Sequence, residues 1–364
     1  MKHIVFTVTN DLTYDQRMQR ICASLAKAGY AVLIVGRRLK DSASLKEEVF
    51  QQKRLHCFFN KKGLLYAEYN LRLFFYLLFA KMDAICAIDL DTILPCLLIS
   101  VLRNKKRIYD AHELFTEMKE VITRRSIKKM WWHIEKYAVP KFDKGYTVSV
   151  SIAEELRRRY RVSYFVIRNV PLLKPLIKTA PVTEKIILYQ GAVNEARGLE
   201  NLIVAMKHVN ATLHIYGDGN IFEKIKDLVS QTRQQEKIFL KGKVLPENLH
   251  GITQRAYIGI NLVEPVGLNQ LYSLSNKFFD YIQAGIPQLT MNFPEYKKIN
   301  EMFHVAVLAD TAEADEITAK LNLLLYDSLL YNSIKSNCLL AREVLHWEEE
   351  EKKLVSLYNN FFSV

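Results

Sequence analysis

The chain contains 364 residues, enough for two domains with large cores, and its 49% hydrophobic and 25% charged residues are the balance of a soluble globular protein. Its five cysteines include no C-x-x-C pair, which argues against a disulfide framework and a structural zinc site and favours a reducing compartment. Residues 1–170 hold 31 Lys and Arg against 17 Asp and Glu, a net charge of +14, whereas residues 171–364 hold 20 against 22, a net charge of −2. This asymmetry predicts an anionic partner for the first half: acidic lipid head groups, a lipid-linked phosphate or nucleic acid.

The first elements predict an α/β fold. An apolar strand over residues 3–9, too short for a signal peptide, is followed by an amphipathic helix and a strand over 31–35. This βαβ order is typical of a doubly wound parallel sheet, and the absence of G-x-G-x-x-G after the first strand weighs against a dinucleotide there. The polar loop 10–17 falls at a carboxyl edge, where Asp15 and Arg17 either contact a substrate or form a helix cap and a salt bridge.

Two further segments of the first half carry specific predictions. Residues 64–80 form the most hydrophobic helix, far too short in its uncharged run to span a bilayer, and we expect it to be buried in the core. A strand over 107–109 leads into Asp110-Ala-His-Glu113, which places His112 between two carboxylates at a strand's carboxyl end. Open α/β sheets bind ligands at that end, so His112 is a candidate site residue as well as a candidate structural one.

Residues 124–137 combine five cations with two adjacent tryptophans. Ile127, Met130, Trp131 and Ile134 fall on one helical face, with Lys128 and Lys129 off it. This pattern suits a helix lying on an anionic membrane surface, and it equally suits a helix packed on the neighbouring sheet.

Prolines punctuate residues 171–183 and mark a linker, after which a second βα series begins at Lys185. Its first loop holds Gly191, which permits a tight strand exit, and Arg197, whose guanidinium can grip a phosphate bidentately. The missing G-K-[ST] excludes a Walker A site. The next strand exits carry Gly217-Asp-Gly and Gly242-Lys-Val, so one edge of the predicted sheet collects phosphate-type residues.

The stretch 257–287 predicts an anion site. A buried strand is followed by Ser275-Asn276 in the N-cap position, and from Lys277 the pattern becomes helical. Helix dipole, free N–H groups and an ammonium would then point out of the strand's carboxyl end together, with Asp280 one turn deeper and able to accept two hydrogen bonds from a ribose diol. The simpler interpretation is a capped helix with one solvated Lys–Asp pair.

These motifs resemble those of the family 4 glycosyltransferases of the GT-B type, in which two Rossmann-like domains face a central cleft. The residues that carry the resemblance are Asp15-x-Arg17, Tyr109–Glu113, Tyr189-Gln-Gly191 with Arg197–Glu200, Gly217-Asp-Gly219, Ser275–Pro287 and His346-Trp-Glu348. It implies an acceptor-binding domain over 1–170, a linker over 171–184, a donor-binding domain over 185–340 and a C-terminal helix over 341–364 that packs back on the first domain.

The resemblance also implies an activity: transfer of a sugar from a nucleotide sugar to a glycan or lipid-linked acceptor, with retention of anomeric configuration and with no metal or other cofactor. Arg197 and Lys277 would stabilise the departing diphosphate and His112 would contact the donor sugar, which makes these three the catalytic residues. Donor contacts would come from Gly191, Gly217, Lys243, Val244, Glu264, Ser275, Asn276 and Asp280. Asp15, Arg17 and Glu113 would lie on the acceptor side. Polysaccharide or lipopolysaccharide assembly at the inner face of the cytoplasmic membrane would fit the charge asymmetry.

Three positions depart from the family pattern. Ala192 stands where an arginine is frequent, Arg197 replaces a lysine, and the first of two glutamates spaced eight apart is Tyr272, with Glu264 as a candidate substitute. A sugar-nucleotide epimerase of similar shape and a non-catalytic nucleotide-sugar-binding protein therefore remain alternatives. Nucleic-acid binding would suit the basic half, but no recognised reading module occurs in it, and we expect no nucleic-acid partner.

Overall fold

A computed structural model describes residues 1–40, 42–59, 62–177 and 184–363. The chain divides into two units. The first contains Met1–Asn169 together with the residues from Glu350 onward, and the second contains Val170–Glu349. Pro181, one of the predicted linker prolines, lies outside the described residues.

The first unit is built on a seven-stranded parallel sheet in the order β3-β2-β1-β4-β5-β6-β7. Its strands are β1 (His3–Thr7), β2 (Ala31–Arg38), β3 (Gln51–His56), β4 (Ala84–Ile88), β5 (Lys106–Ala111), β6 (Gly145–Thr147) and β7 (Phe165–Val166). Its helices before the linker are α1 (Gln16–Lys27), α2 (Lys62–Phe79), α3 (Ile93–Leu102), α4 (Lys119–Ile122), α5 (Arg125–Ala138) and α6 (Val150–Tyr160). Strand β4 is buried at every residue, as expected for a parallel strand covered on both faces by helices.

Strand β6 stops at Thr147, and Val150 is already the first residue of α6. The backbone turns because Ser149 caps the helix, its hydroxyl accepting a hydrogen bond from the N–H of Ile152 at 3.3 Å.

Helix α2 corrects the prediction that residues 64–80 are a buried core helix. Tyr69, Leu73 and Leu77 are fully buried on one side. Phe75 and Phe79, on the opposite side, are 55% and 84% exposed. The apolar composition therefore serves two surfaces, only one of which faces the core.

Helix α5 combines features of both interpretations of residues 124–137. Trp131 is buried, with its ring centroid 4.9 Å from that of Phe115 and 5.4 Å from that of Tyr66. Met130 and Trp132 are exposed. The helix thus packs inward through Trp131. Met130 lies outside the buried face, contrary to the prediction.

The second unit contains a six-stranded parallel sheet in the order β10-β9-β8-β11-β12-β13. Its strands are β8 (Ile186–Gln190), β9 (Thr212–Tyr216), β10 (Ile238–Gly242), β11 (Ile258–Asn261), β12 (Gln288–Met291) and β13 (Ala306–Ala309). The remaining helices are α7 (Leu199–Ala205), α8 (Phe222–Gln231), α9 (Pro246–Gln254), α10 (Leu268–Tyr272), α11 (Asn276–Ala284), α12 (Pro294–Phe303), α13 (Ala314–Tyr326), α14 (Ser328–Ala341) and α15 (Trp347–Ser363). Two parallel sheets flanked by helices form two Rossmann-like domains, which is the GT-B fold class.

The last helix, α15, begins in the second unit and belongs to the first unit from Glu350 onward. Tyr358 is fully buried in the first unit, where its ring centroid lies 6.2 Å from those of Phe6 and Tyr146. Lys106 at the start of β5 donates a hydrogen bond to the carbonyl oxygen of Phe361 at 2.7 Å.

No helix among the described residues is both long enough and apolar enough to cross a membrane.

Candidate active site

The carboxyl edge of the second sheet is shaped by three glycines with positive φ angles. Gly191 follows β8 with φ 124°, Gly217 follows β9 with φ 145°, and Gly242 ends β10 with φ 68°. A side chain on Gly217 would overlap the carbonyl oxygen of Gly191. Backbone hydrogen bonds connect the three exits, from Gly191 N–H to Tyr216 O at 2.9 Å and from Gly217 N–H to Gly242 O at 2.8 Å. Backbone hydrogen bonds therefore join the three predicted glycine-containing strand ends into one surface.

Arg197 is held in the loop between β8 and α7 by its neighbours. Ala196 has φ 60° and Gly198 has φ 65°, so the backbone reverses sharply on both sides of the arginine. A side chain on Gly198 would meet Leu262 just after β11, which means that this loop lies against the end of the neighbouring strand. The two left-handed residues and the contact with Leu262 fix the backbone from which the Arg197 side chain extends.

Helix α11 is fixed on the sheet by a buried tyrosine. The hydroxyl of Tyr281 donates to the carbonyl oxygens of Leu188 and Ile260, each at 3.1 Å, and so joins β8 to β11. Gly259 leaves room for the tyrosine ring, where any side chain would collide. Gly285 ends the helix with φ 70°, a left-handed C-cap.

This anchoring aims Lys277 at the loop after β8. Its Nζ lies 4.1 Å from the ring centroid of Tyr189, and its last methylene would be 3.7 Å from a Cβ on Gly191. Burial, and then the charge of Arg197, lower the pKa of Lys277 from 10.5 to about 7, while Asp280 acts in the opposite direction. Lys277 and Arg197 thus repel each other at the N-terminus of a helix, which is itself electropositive.

Asp280 is oriented by a short chain of hydrogen bonds. The side-chain amide of Gln190 donates to Oδ2 of Asp280 at 3.0 Å, and the hydroxyl of Thr253 donates to the amide oxygen of Gln190 at 2.7 Å. Gln190 is the last residue of β8, so the same strand that leads into Gly191 also positions the carboxylate. The sequence resemblance included Gln190 but assigned it no role.

Ser275 occupies the N-cap position of α11, but it does not cap the helix through its side chain. Its hydroxyl instead donates to the side-chain oxygen of Asn261 at 2.8 Å, and Asn261 donates to Thr290 at 2.7 Å. The predicted capping bond is therefore replaced by a tie to the end of β11. Asn276 is the first helical residue and is exposed.

The remaining predicted donor contacts lie on the same edge of the second sheet. Lys243 is exposed and pairs with Asp218 at 3.3 Å, so the β9 and β10 exits are also joined by charge. Val244 follows it, half-buried. Glu264 follows β11, and its N–H donates to the carbonyl oxygen of Ala196 at 3.1 Å, next to Arg197.

In the first unit, His112 is the partly exposed end of a charge relay with Asp110 and Arg17, which are buried. Nε2 of His112 lies 2.8 Å from Oδ2 of Asp110, and Oδ1 of Asp110 lies 3.2 Å from Nη2 of Arg17. Burial opposes the charge on His112, but Asp110 and Asp89 outweigh it and raise the pKa of His112 above 6.5. Asp110, although buried, keeps a lowered pKa because Arg17 and His112 stabilise its charge.

Asp89 contacts the same segment, although no sequence motif pointed to it. It has φ 54°, and its Oδ1 accepts hydrogen bonds from the N–H groups of His112 at 2.8 Å and Glu113 at 3.3 Å. Burial raises the pKa of Asp89 to about 8 and that of Asp91 to about 6. Its left-handed backbone and raised pKa make it a candidate site residue, and neither can be obtained from sequence order alone.

Asp15 and Arg17, the predicted acceptor-side pair, form a helix cap and a salt bridge. Asp15 caps α1, its carboxylate accepting from the N–H of Met18 at 3.0 Å and from Asn10 at 2.7 Å. Arg17 is only 4% exposed, and its guanidinium is engaged by Asp110 and by the carbonyl oxygen of Ile167. Arg17 therefore orients Asp110 and, through it, His112, and the expectation that it meets a substrate directly is not supported by its burial.

Within the described ranges, no group of three or more His, Cys, Asp or Glu side chains is arranged to hold a metal ion. The five cysteines are buried and unpaired. The candidate site residues fall in two places: the cation pair with Asp280 in the second unit, and the Arg17–Asp110–His112 relay with Asp89 in the first.

Two protein-family models match the chain, one to each half. The model described as "Glycosyltransferase Family 4" matches residues 16–170, and the model described as "Glycosyl transferases group 1" matches residues 176–338. No curated protein sequence matches the chain.

Solved structures share the fold at low sequence identity. Sucrose-phosphate synthase from Thermosynechococcus elongatus is 16% identical with a TM-score of 0.84, and all of both chains is covered. HepE from Anabaena, in complex with UDP and glucose, is 12% identical with a TM-score of 0.74, again over all of both chains. WaaG, a glycosyltransferase involved in lipopolysaccharide biosynthesis, is 12% identical with a TM-score of 0.74, over 97% of this chain and 99% of that one. The two family models, on this two-sheet fold, identify the chain as a glycosyltransferase of the GT-B type.

Proposed function

We propose that the protein transfers a sugar from a nucleoside-diphosphate sugar to a glycan or lipid-linked acceptor, with retention of anomeric configuration and without a metal ion. The second unit would hold the donor and the first unit the acceptor. Lys277 and Arg197 would bind the diphosphate, Asp280 would accept hydrogen bonds from the ribose, and the Gly242–Val244 segment would contact the base.

The observation that carries this proposal is the burial of Lys277 beside a second cation, Arg197, which the charge of Asp280 only partly offsets. Folding brings two cations to the N-terminus of α11 and lowers the pKa of Lys277 to about 7. Such an arrangement is costly without an anion and favourable with one, because a diphosphate would supply charge to both groups. During transfer, negative charge grows on the leaving diphosphate, where fixed cations act most strongly. The UDP complexes of HepE, a structural neighbour, support a nucleoside diphosphate as the ligand class.

The state of His112 supports retention. An inverting transferase needs an unprotonated general base beside the acceptor hydroxyl. The raised pKa of His112 favours the protonated ring, which donates hydrogen bonds to a sugar oxygen. The departing phosphate would then take the acceptor proton, on the same face of the sugar that it leaves.

The experiment that tests this activity is transfer from a panel of nucleoside-diphosphate sugars to lipid-linked and free glycan acceptors, with EDTA present. The anomeric configuration of the product is read by NMR. We expect one donor to react with retention, and Lys277→Ala to lower kcat by about 10²–10³. A product of inverted anomeric configuration would contradict the proposed retention. Donor binding without turnover would favour the non-catalytic alternative, for which the loss of a carboxylate at Tyr272 is the observation.

We propose further that the first unit rests on an anionic membrane surface. Its net charge stays at +14 when the C-terminal segment is included, because Glu350, Glu351, Lys352 and Lys353 cancel. Helix α2 exposes Leu71, Phe75 and Phe79, and the adjacent α3 exposes Leu98, Val101 and Leu102. Large exposed apolar surfaces on a soluble fold mark interaction sites, and cations beside them suit acidic lipids. Such a location would suit a role in assembling cell-surface polysaccharide or lipopolysaccharide.

A further inference from the structure

A cavity of about 480 Å³ lies in the first unit, at the edge of the sheet opposite to the one that carries His112. Strands β5, β6 and β7 begin at Lys106, Gly145 and Phe165, and all three residues line the cavity. His112 follows the carboxyl end of β5, so the strand itself separates the two places. The cavity is within the size range of small-molecule sites, about 300–1,000 Å³.

The apolar part of the cavity is built by the last helix. Leu357 and Phe361 of α15 form one side, and Phe165, which is 61% exposed, stands at the opening. The ammonium of Lys106 holds this side in place, because it donates to the carbonyl oxygen of Phe361 at 2.7 Å and lies 5.3 Å from the centroid of its ring.

The polar part of the cavity is predominantly cationic. Lys105, Lys106, Arg107 and Lys144 line it, against the single carboxylate of Asp143. Two of these cations are held by neutral groups: Lys106 donates to the carbonyl oxygen of Phe361, and Nε of Arg107 donates to that of Lys141 at 2.6 Å. Carbonyl oxygens orient these cations without cancelling their charge, so a positive potential faces an apolar space.

We propose that this cavity binds an amphipathic anion, a phosphate monoester head group joined to an apolar body. The head group would lie between Lys105 and Lys144, and the body would contact Leu357 and Phe361. Neither part of such a ligand is sufficient alone: a free phosphate would leave the apolar surface exposed, and a neutral hydrocarbon would leave the cations without an anion. A membrane lipid and a soluble phosphorylated metabolite share this chemistry.

The test is calorimetric titration of the full chain with octyl phosphate below its aggregation concentration, with inorganic phosphate and with 1-octanol. We expect octyl phosphate to bind at least tenfold more tightly than either fragment. Lys105→Ala/Lys144→Ala should weaken it at least tenfold, and Asn360→Trp, which places an indole in the cavity wall, should abolish it. Lys53→Ala, an exposed lysine on β3, is the matched control and should bind as the wild type does.

Unchanged melting temperatures would show that these variants fold. Competition by vesicles that contain phosphatidic acid would assign the ligand to the bilayer, and absence of competition would assign it to a soluble phosphate monoester; either result supports the site. Binding of octyl phosphate that is equal in the wild type and the double variant would overturn the proposal. So would binding that Asn360→Trp leaves intact.

Discussion

At the scale of single residues, Lys277 connects folding to function. Its stem packs over Tyr189 and against Gly191, and its ammonium faces Arg197. In the unfolded chain its pKa would be near 10.4, so folding penalises the charged form. The residue thus destabilises the ligand-free protein at low pH and stabilises a complex with an anion. Residues that serve binding commonly lower the stability of the ligand-free protein in this way.

The lowered pKa predicts that nucleotide binding takes up a proton. At pH 8 the ammonium of Lys277 is largely deprotonated in the free protein, because its pKa is about 7, and a bound diphosphate would restore the proton. Affinity should therefore fall as pH rises above 7, by up to about tenfold per unit. Calorimetry at pH 8 in two buffers with different ionisation enthalpies would measure an uptake near one proton.

Lys277→Arg provides the control for this uptake, since a guanidinium stays charged throughout the range. The variant should bind with little proton uptake. Equal heats in the two buffers for the wild type would contradict the assignment of Lys277 to the diphosphate.

At the scale of elements, the strand exits depend on glycines that differ in what surrounds them. Gly217→Ala should lower the free energy of unfolding by about 2–4 kcal/mol, because its Cβ overlaps the carbonyl oxygen of Gly191 and its φ of 145° suits only glycine. Gly242→Ala has open space around its Cβ and a φ of 68°, so it should cost only about 1 kcal/mol. Denaturant unfolding of both variants measures the difference, and equal losses would contradict the close packing of the β8 and β9 exits.

Much of this edge was predictable because glycine and helix-cap signals are local. Gly191 and Gly217 stand where the sequence predicts strand exits, and Ser275 stands where it predicts an N-cap. The hydrogen bond of the Ser275 hydroxyl could not be predicted. The hydroxyl binds Asn261, a side chain fourteen residues away, instead of capping the helix. Asp89 was missed for a related reason: its left-handed backbone and its bonds to the N–H groups of His112 and Glu113 arise only when β4 and β5 pair.

The error on α2 has a different origin. The sequence of an apolar helix identifies the side chains that burial would favour, but it does not show which face of the helix another element covers. In the structure Tyr69 and Leu77 face the core, while Phe75 and Phe79 face solvent. The excess of apolar residues was therefore a signal of a second contact surface, which the composition of the helix alone could not distinguish from deep burial.

At the scale of the whole molecule, the charge asymmetry and the apolar stripe of α2 predict membrane binding. Phe75→Gln/Phe79→Gln should weaken binding to vesicles with acidic lipids at least tenfold, since burying each phenylalanine contributes about 1.5–3 kcal/mol. Leu329→Gln/Leu340→Gln, at two exposed leucines of the second unit, is the matched control. Cosedimentation that is the same for both double variants would contradict the assignment of this surface.

The two units also divide the proposed work. The first unit carries the net charge of +14 and the His112 relay, and the second carries the cation pair at the end of its sheet. A bound nucleotide would stabilise the folded second unit by about 2.7 kcal/mol at a hundredfold excess over its Kd. The central claim is that this stabilisation depends on Lys277 and Arg197.

The most direct test is calorimetric titration with UDP, GDP, ADP and CMP at pH 7 in EDTA, on the wild type and on Lys277→Met, which retains an unbranched side chain over Tyr189. We predict that the wild type binds one nucleoside diphosphate and that Lys277→Met binds it at least tenfold more weakly, with a melting temperature that is not lowered. No binding of any nucleotide by the wild type, or equal affinity in Lys277→Met, would contradict the account.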